Sequence, residues 1–200
     1  MARQHEAEVR KLRPTQITIG FIELSVKRKE LEALGKHKQR EFLAAHLIPA
    51  VRGPEERIFI TDHHHLARAA LEVGIDTAFF LIEADMGQLE YTAFWRIMVE
   101  KHWAHPIDEH GQRQPSSAIP KHLEELRDDV YRSIAGFVRS AGGYDKTPTA
   151  FAEFLWADFF RHHIVVGPTH EDFQRAVDAA LALARSAEAR ALPGYRGPPA

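Results

Sequence analysis

"FITDHHHLARAALEVG", residues 59–74, carries the decision about the fold. Phe59 and Ile60 read as the end of a short buried strand, Asp62 and three histidines follow, and Leu66, Ala67, Ala70 and Leu71 then recur at helical spacing until Gly74. A helix is therefore expected over His63–Val73, capped by Asp62 and ended by Gly74. A strand that passes at once into a helix aims the helix's free N–H groups, and the positive end of its dipole, at the space beyond the strand. Such a turn suits an anion.

The neighbouring stretches extend this into an α/β unit. "TQITIGFIEL" alternates β-branched residues and reads as a strand from Thr15 to Ile22, after which Ser25 reads as the N-cap of a charged helix over Val26–His46, interrupted at Gly35. "LIPAVRGPEERIFITD" reads as two short strands about a Gly53-Pro54 turn, and "TAFFLIEAD" as a further buried strand. These elements give an α/β core over residues 14–85. Beyond it the texture turns helical: "GQLEYTAFWRIMVEKHW", then a polar loop at 104–119, then helical stretches near 120–140, 149–163 and 169–190. Residues 86–190 are thus expected to form a mainly helical lobe packed on the core, with residues 1–13 and 191–200 as irregular tails. The fold class is α/β (α+β).

Composition narrows the chemistry. The chain has 200 residues, 44% of them hydrophobic, ample for a sizeable core. Lys and Arg number 26 against 28 Asp and Glu, a formal net charge of −2, so no general positive field draws the surface to nucleic acid or anionic lipid. There is no cysteine, which excludes disulfides, thiolate metal sites and cysteine nucleophiles. With no signal-peptide pattern and no apolar run near the roughly 18 residues of a membrane span, a cytoplasmic location is expected.

Candidate chemistry gathers at the quoted turn. Asp62, His64 and His65 are the candidate catalytic groups, and His63 and Arg68 candidate phosphate or nucleotide contacts, Arg68 lying on the helix face that His64 and His65 adjoin. Successive helical residues project about 100° apart, so one or two of the three imidazoles at most can serve one site. The same residues also fit an ordinary helix cap with solvated histidines. A metal held by Asp62 with His64 or His65 is a third reading, although the usual His-x-x-x-His spacing is missing. Lys27, in a Lys27-Arg28-Lys29 run, is a candidate phosphate contact or a solvated helix start. In the helical lobe, Arg132 has the geometry to clamp a carboxylate or phosphate. Glu153, among Phe151, Phe154, Trp156 and Phe160, is either a proton carrier or the partner of a base such as Arg161 or Lys146.

Several stretches taken together resemble a known family. "ITDHHHLARAALEVG" is similar to the signature segment of the ParB/sulfiredoxin-like superfamily. With "LRPTQITIGFIELSVKRKEL", "FWRIMVEKHWAHPIDEHG" and "LRDDVYRSIAGFVRSAGGYDKTPTAFAEFLWADFFR", the chain resembles its subgroup of putative ParB-like nucleases over residues 12–165. The resemblance implies a phosphate or nucleotide held where the signature helix begins. Asp62, His64 and His65 match an Asp-Gly-His-His-Arg pattern of the superfamily's serine-kinase branch, while His63 replaces the glycine and Leu66 the arginine. Of the arginines that grip CTP in the partition proteins, only Arg68 has a counterpart, and the reductase branch requires a cysteine that is absent.

The resulting expectation is a ParB/sulfiredoxin-like domain that binds a phosphorylated small molecule or nucleotide, with a divalent metal as a possible companion, and performs phosphoryl transfer or phosphodiester hydrolysis. A nucleotide- or phosphate-sensing module without catalysis is the alternative. Sequence-specific DNA binding is not expected, because "FAEFLWADFF" is acidic and aromatic where a recognition helix would be basic.

Overall fold

The computed structural model of the chain describes residues 4–198, which divide into two compact units, 4–19 with 24–128, and 20–23 with 129–198. The division falls at residue 128, not at residue 85 where the change of texture in the sequence placed it.

The first unit is built on a four-stranded sheet. Its strands are β1 (Gln4–Glu8), β3 (Ile48–Arg52), β4 (Ile58–Ile60) and β5 (Thr77–Asp85), in the order β1-β5-β3-β4. β1 runs antiparallel to β5, β5 parallel to β3, and β3 antiparallel to β4. A short β2 (Thr18–Ile19) pairs in parallel with β6 (Arg127–Asp128). The helices are α1 (Phe21–Glu32), α2 (Lys36–Ala45), α3 (His64–Val73) and α4 (Tyr91–Glu100). Leu66, Ala67, Ala69 and Ala70 of α3 are buried with Ile48, Ala50, Ile60 and Phe80 of the strands. Three alanines on that face let the helix backbone lie close to the sheet. Gly74 then takes a left-handed conformation at φ 79°, and the Ile75 N–H turns back to the Ala70 carbonyl, which closes the helix end.

The strands and helix read around residues 47–85 are all present, with α3 starting one residue later than expected. Four other expectations are corrected. Only Thr18 and Ile19 of the expected Thr15–Ile22 strand are in a ladder, and Ser25 lies inside α1 where it was expected to cap a helix. Helix 120–140 shrinks to α5 (Val130–Ser140), preceded by a 3-10 turn at Leu123–Glu125 and by β6. Residues 4–13 are built into the fold: β1 is an edge strand, and Val9 and Leu12 are buried in the core. Charge at alternate positions of β1 hid it, and charge is what an exposed sheet edge tolerates. Residues 1–3 and 199–200 of the two expected tails lie outside the described residues.

The second unit packs α5, α6 (Ala152–His163) and α7 (His170–Ala184) around Trp156, which is fully buried and stacks on Tyr144 with ring centroids 4.3 Å apart. α7 ends six residues short of the expected 190, followed by a 3-10 turn at Ala187–Ala189. The segment expected as an irregular tail is fastened here too: Trp156 Nε1 donates to the Pro193 carbonyl at 2.8 Å, and the Asp145 N–H to Gly194 O at 2.8 Å.

Gly20–Glu23 joins this unit through Ser133, whose hydroxyl oxygen lies 3.2 Å from the Ile22 nitrogen. A Cβ on Gly20 would stand 2.3 Å from Ser133 Oγ and 2.5 Å from the Ser133 backbone nitrogen. Backbone cannot step aside as a flexible side chain does, so Gly20→Ala is expected to cost about 1–3 kcal/mol in chemical denaturation. An unchanged midpoint would contradict this packing.

Candidate functional site

The chain leaves β4 at Ile60 and enters α3 at His64 through three residues. Thr61 is bonded to the sheet through its N–H to Pro49 O at 2.9 Å, and its hydroxyl donates to Glu83 at 2.8 Å. Asp62 is exposed, and its Oδ1 accepts the His63 N–H at 2.7 Å. The carboxylate thus braces the turn one residue ahead of the helix and not, as expected, the first turn of the helix itself. His63 sits at φ 60°, ψ 28°, the left-handed region. This is the position at which the resembling kinase pattern has glycine, a residue that adopts such a conformation freely; here a side chain bears its strain. The first intrahelical bond runs from the Ala67 N–H to His63 O at 2.9 Å, so the amides of His64, His65 and Leu66 lie ahead of it at the positive end of α3.

The three imidazoles differ in environment. His64 is buried at 4% exposure, and its Nε2 lies 3.1 Å from the Thr15 amide nitrogen, which donates to it. Thr15, 1% exposed, also donates its hydroxyl to the Ile60 carbonyl at 2.7 Å, so one residue ties the end of β4 to the start of α3. Any proton chemistry by His64 is therefore confined to Nδ1. His63 and His65 are half-buried.

Around Thr15 the first unit buries an unusual run of polar side chains. Thr15, Gln16 and Thr18 are each under 8% exposed, at 1%, 7% and 1%. Gln16 Nε2 donates to the Thr18 carbonyl at 2.7 Å, and the His105 N–H donates to Thr15 O at 2.8 Å. His105 belongs to a loop that Asp108 organises: the carboxylate accepts from the backbone of His110 and Gln112 and from Gln114 Nε2 at 2.6 Å. Burial raises the Asp108 pKa, but these donors outweigh it and hold the carboxyl below its ordinary value. The sequence reading passed over Thr15, Gln16, Thr18 and His105. The available signal was the polar residues at three of the four positions 15–18, beside two isoleucines that are themselves buried.

Both expected cations of this unit are engaged. Arg68 donates from Nε to Glu72 at 2.8 Å and from Nη1 to the Leu123 carbonyl, which makes it a strut between α3 and the Leu123–Glu125 turn. Lys27 pairs with Glu30 on its own helix at 2.6 Å; within its run it is Arg28 that reaches α3, with Nη1 3.5 Å from Glu72. Among the described residues, no group of three or more His, Asp or Glu stands close enough together to hold a metal ion.

The candidates of the second unit meet each other. Arg132, 4% exposed, donates to Glu153 Oε2 at 2.8 Å and lies over the Phe154 ring at 4.5 Å, while Arg139 also pairs with Glu153. Arg161, expected as a partner of Glu153, instead holds Asp129 at 2.6 Å. Asp129 is 3% exposed and caps α5 by accepting the Tyr131 N–H. Burial raises its pKa, opposed by the Arg161 guanidinium. Tyr144 is likewise held above its ordinary range by burial, against the pull of Arg132 and Arg139.

The model of a protein family described as putative ParB-like nuclease matches residues 5–162. The chain belongs to that family. Among solved structures, protein Atu1540 from Agrobacterium tumefaciens matches with a TM-score of 0.89 and 39% sequence identity, over 98% of each chain. No curated protein matches the chain. The mixed α/β fold with a helical C-terminal region is thus the fold of this ParB-like family member. Among the described residues, no helix is long and apolar enough to cross a membrane.

Two outcomes follow from these contacts. His64→Ala removes a buried ring and leaves the Thr15 amide without its acceptor, so it is expected to lower stability by roughly 2–4 kcal/mol in denaturant titration, well beyond His65→Ala. Asp108, with its folded pKa lowered, contributes stability that is present above its unfolded pKa and lost as pH falls through the folded value. Asp108→Asn should accordingly flatten the acid side of the curve of melting temperature against pH; an unaltered acid limb would count against the loop anchor.

Proposed function

We propose that the chain is a phosphodiester-hydrolysing, nuclease-type enzyme, and that the scissile phosphate lies at the start of α3. The observation that carries this reading is the tight turn in which left-handed His63, between exposed Asp62 and buried His64, leads directly from β4 into the head of α3. Membership of the ParB-like nuclease family supports the reaction class.

In this reading the amides at the head of α3 receive a phosphate oxygen, where the helix dipole favours negative charge. Asp62, exposed and next to those amides, orients or deprotonates the attacking water. His65, half-buried, donates a proton to the departing oxygen. Because Arg68 and Lys27 are ion-paired, affinity rests on few charges, so binding should fall only gently with added salt. The substrate is taken without sequence readout, since the second unit's α6 carries an acidic and aromatic segment.

The specific engagement of His64 Nε2 by Thr15 favours a second reading, a nucleotide- or phosphate-sensing module in which the turn binds and does not react. The two separate in one experiment. Single- and double-stranded DNA, RNA and free nucleotides are incubated with the protein with and without Mg²⁺ or Mn²⁺, and products are followed by gel and by phosphate release. Cleavage that drops by about 10²–10⁴-fold in Asp62→Asn and His65→Ala is the expected result. Nucleotide or phosphate raising the melting temperature with no turnover would establish the sensor instead. Transfer of phosphate from ATP to a hydroxyl compound would overturn both in favour of a kinase.

A further inference from the structure

His64 accepts from the Thr15 backbone N–H at 3.1 Å through Nε2, in a site where its ring is 4% exposed. A peptide N–H is a donor only, so Nε2 must present its lone pair, and the proton of the neutral ring belongs on Nδ1. The Thr15 hydroxyl lies 3.4 Å from the same nitrogen but has a single proton, which goes to Ile60 O at 2.7 Å. The hydroxyl therefore offers Nε2 no second donor. Thr15 O accepts the His105 N–H at 2.8 Å, so both peptide groups of Thr15 are held in place. A proton added at Nε2 would set two N–H groups head to head in a buried place, which costs both the bond and the desolvation of the donors.

We propose that Thr15 is the positioning residue of this turn: it fixes His64 as the Nδ1–H tautomer, a hydrogen-bond donor and not a proton acceptor. Base chemistry at the turn then falls to Asp62 or His65, and substitution of His64 acts through the shape of the turn. This division of labour rests on the hydrolytic reading above; the tautomer itself does not. Thr15 lies 49 residues from His64 in sequence, so the donor that meets Nε2 comes from outside the histidine run.

The test is imidazole nitrogen spectroscopy on the full ¹⁵N-labelled chain without ligand, at about pH 8, above the ordinary histidine range. The chain has 13 histidines, and His64 is assigned by the resonance missing from His64→Gln. The expected result is Nδ1–H over Nε2–H by at least about tenfold, with a through-hydrogen-bond coupling between the Thr15 amide nitrogen and Nε2. Thr15→Ser and Thr15→Val keep the N–H and should keep the tautomer; Thr15→Pro deletes the N–H and should let the ring redistribute. Should the proline variant not fold, the coupling in the wild-type protein decides. An Nε2–H tautomer, no coupling, or a tautomer that changes in Thr15→Val would overturn the proposal. The correct tautomer in a protein that neither binds nor cuts any phosphate compound would leave Thr15 in its role and remove the hydrolytic reading.

Discussion

A peptide N–H resting on a buried imidazole holds together three parts of the first unit that are far apart in sequence. Thr15 receives the ring of His64 on one side, grips the last carbonyl of β4 with its hydroxyl, and takes the His105 amide on its own carbonyl. The left-handed residue at 63 depends on this arrangement. A non-glycine residue at φ 60° costs of order 1–3 kcal/mol and persists only where its flanks are pinned. Here Asp62 braces the amide before it, and His64 is anchored after it. Strain at one residue is thus sustained by good hydrogen bonds at its neighbours, and the head of α3 keeps its direction.

That constraint separates what the histidine run contributes. Three consecutive imidazoles look equivalent in sequence, yet one closes the turn from within while Asp62 stands exposed beside it. The cations that would make the turn an obvious phosphate grip are drawn into ion pairs: Arg68 braces the Leu123 carbonyl and Lys27 pairs with Glu30.

The second unit follows the rule that buried charge is paired charge. Glu153 bridges Arg132 and Arg139, and Asp129 is held by Arg161 while it caps α5. Each pair joins α6 to α5, or to the residue that caps it, and takes charges out of water only where the opposite charge is supplied. The aromatic cluster around Trp156 then lies between helices whose register these pairs set.

The elements whose signals are local were legible in the sequence. The β3–β4 hairpin follows from Gly53-Pro54, α3 from its apolar spacing and Gly74, and β5 from its apolar run, because each depends on residues within one or two turns of chain. The tight passage from β4 into α3 at Asp62–His65 was legible for the same reason. The tertiary structure decided which histidine is buried, because the atom that claims His64 comes from Thr15, in a run that reads as a plain strand. It also decided that Gly20–Glu23 belongs with the second unit, because only there does a backbone without a Cβ fit against Ser133. Partners brought together by folding across dozens of residues leave no periodic mark at either end, so such pairings become visible only when the chain is closed on itself.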